Sequence, residues 1–296
     1  MKLLNAMPPY NLFGLEDQDY KSARIVVIPV PYDSTVTYKS GSRDGPRAII
    51  EASRNMELYS EEMRGNPSKV GIYTTEELAP DLSSPENTIR RIEKEVSLIL
   101  DDSKIPLLLG GEHTISIGSI SALAKRDKNF TVLHFDAHSD SRDELFGTKY
   151  CHACVMARAR ELAKSCYSVG VRSIDGQSAS KYGEDILFME SIYGMSTAEA
   201  INTIRNNTLK DIYLTIDLDV LDPSEMPSVG TPEPGGFTYT RLKEILKGAL
   251  MAKNIIGLDF TELSPIPGVV APNYLAAKLI YSTIGYIWSP SGQQIQ

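Results

Sequence analysis

The chain is 296 residues long; 42% of the residues are hydrophobic and 23% are charged, as is ordinary for a globular protein with a sizeable core. Its 38 Asp and Glu residues outnumber 30 Lys and Arg residues, and the net charge of −8 argues against nucleic acid as the main partner. No apolar run is long enough to span a bilayer, and the first residues lack the apolar segment of a signal peptide. Three cysteines are too few for a disulfide framework. We therefore expect a cytoplasmic protein without a membrane partner.

Six short apolar segments predict the strands of a buried sheet. They cover residues 23–30, 105–110, 130–135, 166–171, 211–216 and 254–260. Their apolar residues are consecutive rather than alternating. This pattern is typical of strands covered on both faces, as in a parallel sheet.

Helical patterns lie between these segments. In the longest of them, apolar residues recur at helical spacing at Ile89, Ile92, Val96 and Ile99. Ser84 is suited to cap this helix, and Pro85 to its first turn. Residues 240–252 repeat the pattern. Because strands alternate with helices, we predict one doubly wound α/β domain over residues 1–296.

Acidic and imidazole side chains follow four of the six predicted strands. They are His113 after the second strand, Asp136, His138 and Asp140 after the third, Asp217 and Asp219 after the fifth, and Glu262 after the last. The carboxyl ends of parallel strands meet at one edge of the sheet, where ligands bind. Since clustered charges there are costly without a counter-ion, the sequence predicts a cation site.

The number of these side chains indicates two ions rather than one. Before Glu262 they supply four carboxylates, two imidazoles and no thiolate. These donors suit Mn²⁺, with Fe²⁺, Co²⁺ or Zn²⁺ as alternatives. We predict that Asp136 and Asp217 bridge the two ions, because each comes first in its motif.

Each pattern alone also has an ordinary structural explanation. An isolated Asp-x-Asp in a loop is usually a turn or a cap, and an isolated His after a strand is usually structural. Such explanations would have to hold together at three strand ends, which favours the metal site.

Other suggestive residues are better explained by structure. Cys151 and Cys154 mimic a zinc or redox motif, but without a second cysteine pair we predict small core residues. His134 lies inside a predicted strand and is expected to be a buried His with hydrogen-bond partners. Asp222, before a proline, fits a turn or a cap.

Four motifs in a fixed order resemble the ureohydrolase (arginase/agmatinase) family. They are GGEHT, DAHSD, IDLDVLDP and GLDFTELSP, preceded by PYDSTVTYKSGSRDGPRAII. The resemblance covers about residues 24–287. It implies a three-layer α/β/α fold around a parallel eight-stranded sheet, a binuclear Mn²⁺ site with two Mn²⁺ ions per subunit, and homo-oligomers, often trimers or hexamers.

The resemblance also assigns ligands. One ion would take His113, Asp136, Asp140 and Asp217, and the other Asp136, His138, Asp217 and Asp219. Glu112 stands where many members of the family have Asp, and we expect it to support the ligands rather than bind a metal.

The family hydrolyses a guanidinium group to urea and an amine. Glu262 resembles the carboxylate that grips the guanidinium through a planar pair of hydrogen bonds. The alternative interpretation is that Glu262 is a surface residue before a proline-rich turn. His152 matches the family's His that transfers a proton to the leaving amine. The alternative interpretation is that His152 is a packed residue at a helix N-terminus.

The sequence is less informative about the substrate. Arg142 stands where arginase-like members have the Asn that helps hold an α-carboxylate, and residues 140–158 look like agmatinases. Asp143 and Glu144 could meet a substrate amine, whereas Arg142 could pair with a carboxylate or neutralise these acids. We therefore expect agmatine, hydrolysed to putrescine and urea for polyamine biosynthesis, before 4-guanidinobutyrate, and arginine third. A metal-dependent deacylase on a related fold and an inactive metal-binding regulator are the alternatives from other classes.

Overall fold

Eight parallel strands form one sheet in the computed structural model, which describes residues 6–288. The strands are β1 (Ile25–Val30), β2 (Ile72–Thr74), β3 (Ile105–Gly110), β4 (Thr131–Phe135), β5 (Ser165–Val171), β6 (Ile186–Phe188), β7 (Asp211–Asp217) and β8 (Asn254–Thr261). Their order is β2-β1-β3-β8-β7-β4-β5-β6, and every pairing is parallel. Residues 1–5 of the N-terminal stretch and residues 289–296 of the predicted domain lie outside the described residues.

Nine α-helices are described and cover both faces of the sheet. They are α1 (Gly45–Ser53), α2 (Pro85–Asp101), α3 (Ser116–Ala124), α4 (Val155–Leu162), α5 (Gly176–Tyr182), α6 (Met189–Tyr193), α7 (Thr197–Asn206), α8 (Tyr239–Leu250) and α9 (Ala271–Trp288). Helices α2, α3 and α4 pack together on one face, and α1, α7, α8 and α9 pack on the other. This is the predicted three-layer α/β/α fold.

The consecutive apolar residues of the strands have the predicted cause. In β1, Ile25 and Val27 belong to the core that includes α1, α8 and α9, while Val26, Ile28 and Val30 face the core formed with α2. Successive side chains of a strand point to opposite faces, so a strand between two helical layers is apolar at each position.

The long helix α2 begins where its sequence predicts. The Ser84 hydroxyl accepts a hydrogen bond from the Asn87 N–H (3.2 Å), and Pro85 occupies the first turn. Its four periodic apolar residues are all buried. The cap satisfies one N–H that the helix itself leaves unpaired.

Two strands were missed by the sequence prediction. β2 and β6 have three residues each and lie at the two edges of the sheet. An edge strand has one neighbour, and a segment this short has too few residues to show a periodic pattern. The six predicted segments correspond to the six inner strands. Within residues 6–288, none of the helices combines the length and apolar character needed to cross a membrane.

The candidate active site

The carboxyl ends of the four central strands bring the predicted metal ligands together. Strands β3, β8, β7 and β4 are neighbours in the sheet. His113 follows β3, and its Nδ1 atom lies 3.1 Å from Asp136 Oδ2, 3.2 Å from Asp140 Oδ2 and 3.3 Å from Asp217 Oδ2. Nδ1 is buried without a hydrogen-bond partner. Three carboxylate oxygens therefore surround this one imidazole nitrogen.

A second group of donors is adjacent. His138 Nδ1 lies 2.8 Å from Asp219 Oδ2 and 3.5 Å from Asp136 Oδ1. Asp136 thus has one oxygen near each group, and its role as a bridge between two ions stays a prediction. Asp217 lies beside the first group, and its other oxygen accepts the N–H of Asp219 (2.9 Å). A bridging role for Asp217 stays a prediction.

The electrostatics of this cluster fit a divalent cation. Burial, followed by the charges of Asp219 and Asp136, raises the pKa of Asp217 well above its ordinary value. Burial and Asp136 likewise raise the pKa of Asp219. Burial alone would lower the pKa of His113, but the contacts with Asp136, Asp140 and Asp217 outweigh it and raise this pKa well above the ordinary range. Buried carboxylates here repel one another around an imidazole nitrogen that has no hydrogen-bond partner. A bound cation would stabilise this arrangement.

The ring of His113 is oriented from beneath. Its Nε2 atom lies 2.8 Å from Thr215 Oγ1, and the Thr215 hydroxyl donates to Asp259 Oδ1 (2.6 Å). Tyr213 donates its hydroxyl hydrogen to the other oxygen of Asp259. This buried chain leaves Nδ1 as the ring nitrogen that faces the acidic cluster. Orientation of a ligating His by such a network is common in metal proteins.

His134 is a buried His with partners on both nitrogens, as the sequence predicted. Its Nδ1 lies 3.0 Å from Ser168 Oγ and its Nε2 lies 2.7 Å from Asp136 Oδ2. Asp136 Oδ2 is also the oxygen that faces His113 in the first group of donors. His134 therefore helps to hold the Asp136 carboxylate in place.

Asp140 and Glu262 share an uncommon backbone conformation. Their φ angles are 44° and 67°, in the left-handed region that residues with a side chain rarely adopt. Glu262 Oε1 accepts the N–H of His113 (2.7 Å), while the N–H of Glu262 donates to Gly111 O (2.8 Å). The turn after β8 is therefore tied to the turn after β3. This geometry aims the Glu262 side chain at the metal ligands.

A cavity of about 380 Å³ opens above the cluster. His138, Asp140, Asp217 and Asp219 lie on its wall together with the predicted catalytic pair, His152 and Glu262. Burial, followed by the charge of Glu112, raises the pKa of Glu262 well above its ordinary value. A cationic group would relieve this accumulation of negative charge.

His152 is held by a residue that the sequence prediction missed. Thr35 Oγ1 lies 3.2 Å from His152 Nδ1, and the same oxygen accepts the N–H of His152 (3.2 Å). Thr35 in turn donates its hydroxyl to Glu112 Oε1 (2.7 Å) and its N–H to Glu112 Oε2 (2.6 Å). Glu112 is fully buried. Within the quoted PYDST segment, nothing in the spacing singled out Thr35.

The residues predicted to contact the substrate tail divide into two groups. Arg142 lines the cavity, and its guanidinium is 3.9 Å from Asp175. Asp143 and Glu144 are exposed and lie outside the lining of this cavity. The Asp143 carboxylate instead pairs with Arg158 (2.6 Å) and Lys149 (3.5 Å). The structure does not place Asp143 or Glu144 on the wall of this cavity, and their contact with a substrate amine stays a prediction.

The segment after β7 is fixed by two polar residues. The Asp222 carboxylate accepts backbone N–H groups of Ser224, Gly235 and Gly236 at 2.8–3.1 Å, which confirms its predicted structural role. The Arg172 guanidinium donates to backbone carbonyls of residues 219–221 and 233–234. No motif or spacing in the sequence singled out Arg172.

The same segment carries one more acidic group to the site. Glu233 places Oε1 3.8 Å from His138 Nε2, and its side chain is 38% exposed. It was not predicted, because it follows no strand.

Cys151 and Cys154 flank His152 on either side. Both are buried, at 1% and 0% exposure, and their Sγ atoms lie 3.0 Å apart as free thiols. They are small core residues, as the sequence predicted.

Comparison with known proteins agrees with this geometry. The sequence model of the Arginase family matches residues 23–285. The chain is 34% identical over 282 residues to the N(1)-aminopropylagmatine ureohydrolase of Synechocystis sp., a match that covers 92% of this chain and 91% of that protein. It is 30% identical over 254 residues to the agmatinase of Bacillus subtilis, covering 84% and 86%.

A solved structure gives the same result. The agmatine ureohydrolase of Thermoplasma volcanium superposes with a TM-score of 0.84 at 30% sequence identity, over 92% of each chain. The family match covers nearly the whole described sequence and includes all the motifs that meet at the cavity. The chain belongs to the Arginase family.

Proposed function

We propose that this chain hydrolyses the guanidinium group of a guanidino amine to urea and an amine, at a centre of two divalent ions. The observation that carries the proposal is that one cavity wall holds His152, Glu262 and donors from both metal-type groups, namely His138, Asp140, Asp217 and Asp219. The first candidate substrate is agmatine, which would give putrescine.

Glu262 is suited to hold the guanidinium. Its Oε1 already accepts the N–H of His113, so Oε2 is the oxygen with free acceptor capacity. A carboxylate and a guanidinium form strong, charge-assisted hydrogen bonds, and these would fix the central carbon above the metal ligands. Burial and the charge of Glu112 raise the pKa of Glu262, and the positive charge of a bound guanidinium would lower it again.

The metal ligands and His152 divide the remaining work. Two divalent ions held by His113, Asp136, His138, Asp140, Asp217 and Asp219 would supply a water molecule of lowered pKa as the nucleophile. His152 would then give a proton to the nitrogen that leaves the guanidinium carbon, because an amine leaves poorly as an anion.

N(1)-aminopropylagmatine is a second candidate substrate. Relatives with this activity in their names, from Synechocystis sp. and Thermus thermophilus, are 34–36% identical to the chain, compared with 30–31% for the agmatinases of three Bacillus species and Halalkalibacterium halodurans. This substrate shares the guanidinium end of agmatine and differs in the length of its amine tail. Arg142 on the cavity wall is the feature that favours a carboxylate-bearing substrate instead.

Urea release by the Mn²⁺-loaded protein tests the proposal. Agmatine, N(1)-aminopropylagmatine, 4-guanidinobutyrate and arginine would be compared side by side. We expect turnover of one or both amines and little turnover of the two acids. Preference for an acid would overturn the assignment of an amine tail and identify Arg142 as its partner. Absence of urea from all four, with bound metal confirmed, would overturn the proposed reaction.

Three further features complete the proposal. Manganese is supported by the donor set of carboxylates and imidazoles without a thiolate. A reducing cytoplasm is supported by the three free cysteines. The homo-oligomer, trimer or hexamer, rests on the resemblance to the family alone.

A further inference from the structure

We propose that Thr35 is a positioning residue for this reaction. Its hydroxyl, itself held by Glu112, fixes the ring of His152 with Nδ1 protonated and leaves Nε2 as the nitrogen that exchanges a proton. The inference rests on the proposed function for the role of His152, but it is argued from hydrogen bonds that involve no metal.

The loop that carries Thr35 is locked onto the turn that carries Glu112. The N–H groups of Gly111 and Glu112 donate to the carbonyls of Val30 (3.0 Å) and Tyr32 (2.7 Å). At Gly111 a Cβ atom would lie 1.9 Å from Tyr32 O, so only glycine permits this approach. Thr35 is therefore brought to Glu112 by the backbone of two neighbouring strands, β1 and β3.

The hydrogens around Glu112 determine the direction of each bond. Glu112 accepts the Thr35 N–H on Oε2, and both the Thr35 and the Thr114 hydroxyls on Oε1 at 2.7 and 2.5 Å. A threonine hydroxyl has one hydrogen and two lone pairs. Once the hydrogen of Thr35 is directed to Glu112, its oxygen has only lone pairs to offer.

His152 uses those lone pairs. Its backbone N–H and its Nδ1 both lie 3.2 Å from Thr35 Oγ1. Because Oγ1 accepts, Nδ1 must donate, in the neutral ring as well as in the imidazolium. The chain Glu112–Thr35–His152 therefore orients the imidazole as the carboxylate of other catalytic histidines does, with one hydroxyl inserted between the two groups.

The consequence for the reaction is a defined proton path. As the bond between the guanidinium carbon and the leaving nitrogen breaks, a new N–H bond forms on that nitrogen and the Nε2–H bond of His152 breaks. The ring returns to its neutral form with the hydrogen on Nδ1. If the imidazole ring could rotate, or could hold its hydrogen on Nε2, it would be misaligned for the next proton transfer.

The first test replaces only the hydroxyl. Thr35→Val has the shape of threonine and should lower kcat by roughly tenfold to a hundredfold, with a smaller change in KM and unaltered metal content. Thr35→Ser restores the hydroxyl and should recover most of the activity. Equal losses in Thr35→Val and Thr35→Ser would overturn the proposal, because packing rather than hydrogen bonding would then be the cause.

A double-mutant cycle separates positioning from a general structural effect. If Thr35 acts through His152, Thr35→Val should cause no further loss in a His152→Ala background. Thr215→Val is the matched control, since it removes a hydroxyl that holds the ring of His113 rather than that of His152. Its effect should multiply with that of His152→Ala. Multiplying effects for Thr35→Val, or full activity of His152→Ala, would contradict the proposal.

A measurement independent of activity distinguishes failure of this inference from failure of the proposed reaction. The chain has four histidines, so the imidazole ¹⁵N signals of His152 can be assigned by their loss in His152→Ala. We expect a hydrogen on Nδ1 in the wild-type protein and a mixture of tautomers in Thr35→Val. A hydrogen on Nε2 in the wild-type protein would overturn the inference, whichever substrate is turned over.

Discussion

Three carboxylates of this site each have one oxygen committed to a backbone N–H, which leaves the other oxygen for a ligand. Glu262 gives Oε1 to the N–H of His113, and Asp219 gives Oδ1 to the N–H of Ala137 (3.0 Å). Asp217 gives Oδ1 to the N–H of Asp219. A backbone donor fixes the side-chain rotamer before any ligand arrives, so less ordering remains for binding.

Glu262→Gln tests the charge of one such carboxylate. Glutamine retains the oxygen that accepts from His113, but it replaces the other oxygen by an NH₂ group that repels the N–H groups of a guanidinium. We expect kcat/KM to fall by on the order of a hundredfold, the usual worth of a charged hydrogen bond, with normal metal content.

The matched control for Glu262→Gln is Glu77→Gln, which changes the same functional group in an ion pair with Arg47 remote from the cavity. It should leave the kinetics unchanged. Unaltered kinetics in Glu262→Gln would remove this residue from the substrate site.

The segment of residues 218–236 behaves as a single element, although it contains little regular structure. Arg172 donates to carbonyls at both ends of the segment, at residues 219–221 and 233–234. Asp222 closes the same segment with three N–H bonds. Asp219 and the cavity-lining residues Gly230 and Thr231 all lie within it. The guanidinium of Arg172, the residue that directly follows β5, thus determines the shape of one wall of the cavity.

Arg172→Met should loosen this wall. Several carbonyls lose their donor at once, and a partly buried carbonyl without a partner costs about 1–3 kcal/mol. We expect a raised KM and weaker retention of one of the two metal ions in dialysis. Arg90→Met is the control, because Arg90 forms an exposed pair with Glu86 on α2, and such pairs contribute little. Equal behaviour of the two variants would show that Arg172 does not hold the segment.

The parts of the site that were predictable lie next to strands. His113, Asp136 and Asp217 follow apolar segments long enough to be recognised, and the sheet topology then brings them together. Thr35 and Arg172 act through partners that lie far away in sequence: Thr35 is 77 residues from Glu112 and Arg172 is 47 residues from Asp219. Neither stands in a pattern whose spacing reports such a contact, so tertiary structure was needed to find them.

At the scale of the whole molecule, the acidic cluster is a cost to folding that a cation would offset. Asp136, Asp217 and Asp219 are each at most 3% exposed. Burial and mutual repulsion raise the pKa of Asp217 and of Asp219. An ion that binds the folded chain and not the unfolded chain stabilises the fold by linkage, about 2.7 kcal/mol at a hundredfold excess over Kd.

Metal removal should therefore lower the melting temperature. We expect a chelator to decrease Tm by on the order of 5 °C or more, with recovery on addition of Mn²⁺. In Asp217→Ala this metal-dependent shift should be lost together with activity. Asp101→Ala, which removes an exposed carboxylate paired with Arg126, should retain the full shift. A metal-dependent shift of normal size in Asp217→Ala would exclude Asp217 as a ligand.

The central position of strands β3, β8, β7 and β4 also bears on how metal leaves the protein. Amide groups in the middle of a sheet exchange with solvent only when the whole domain opens, whereas those of edge strands such as β2 and β6 open locally. The ligand-bearing strand ends are thus attached to the part of the chain that opens last. Ions would depart from the folded protein through the mouth of the cavity, so the rate of their loss would follow the size and charge of the extracting agent rather than the rate of unfolding.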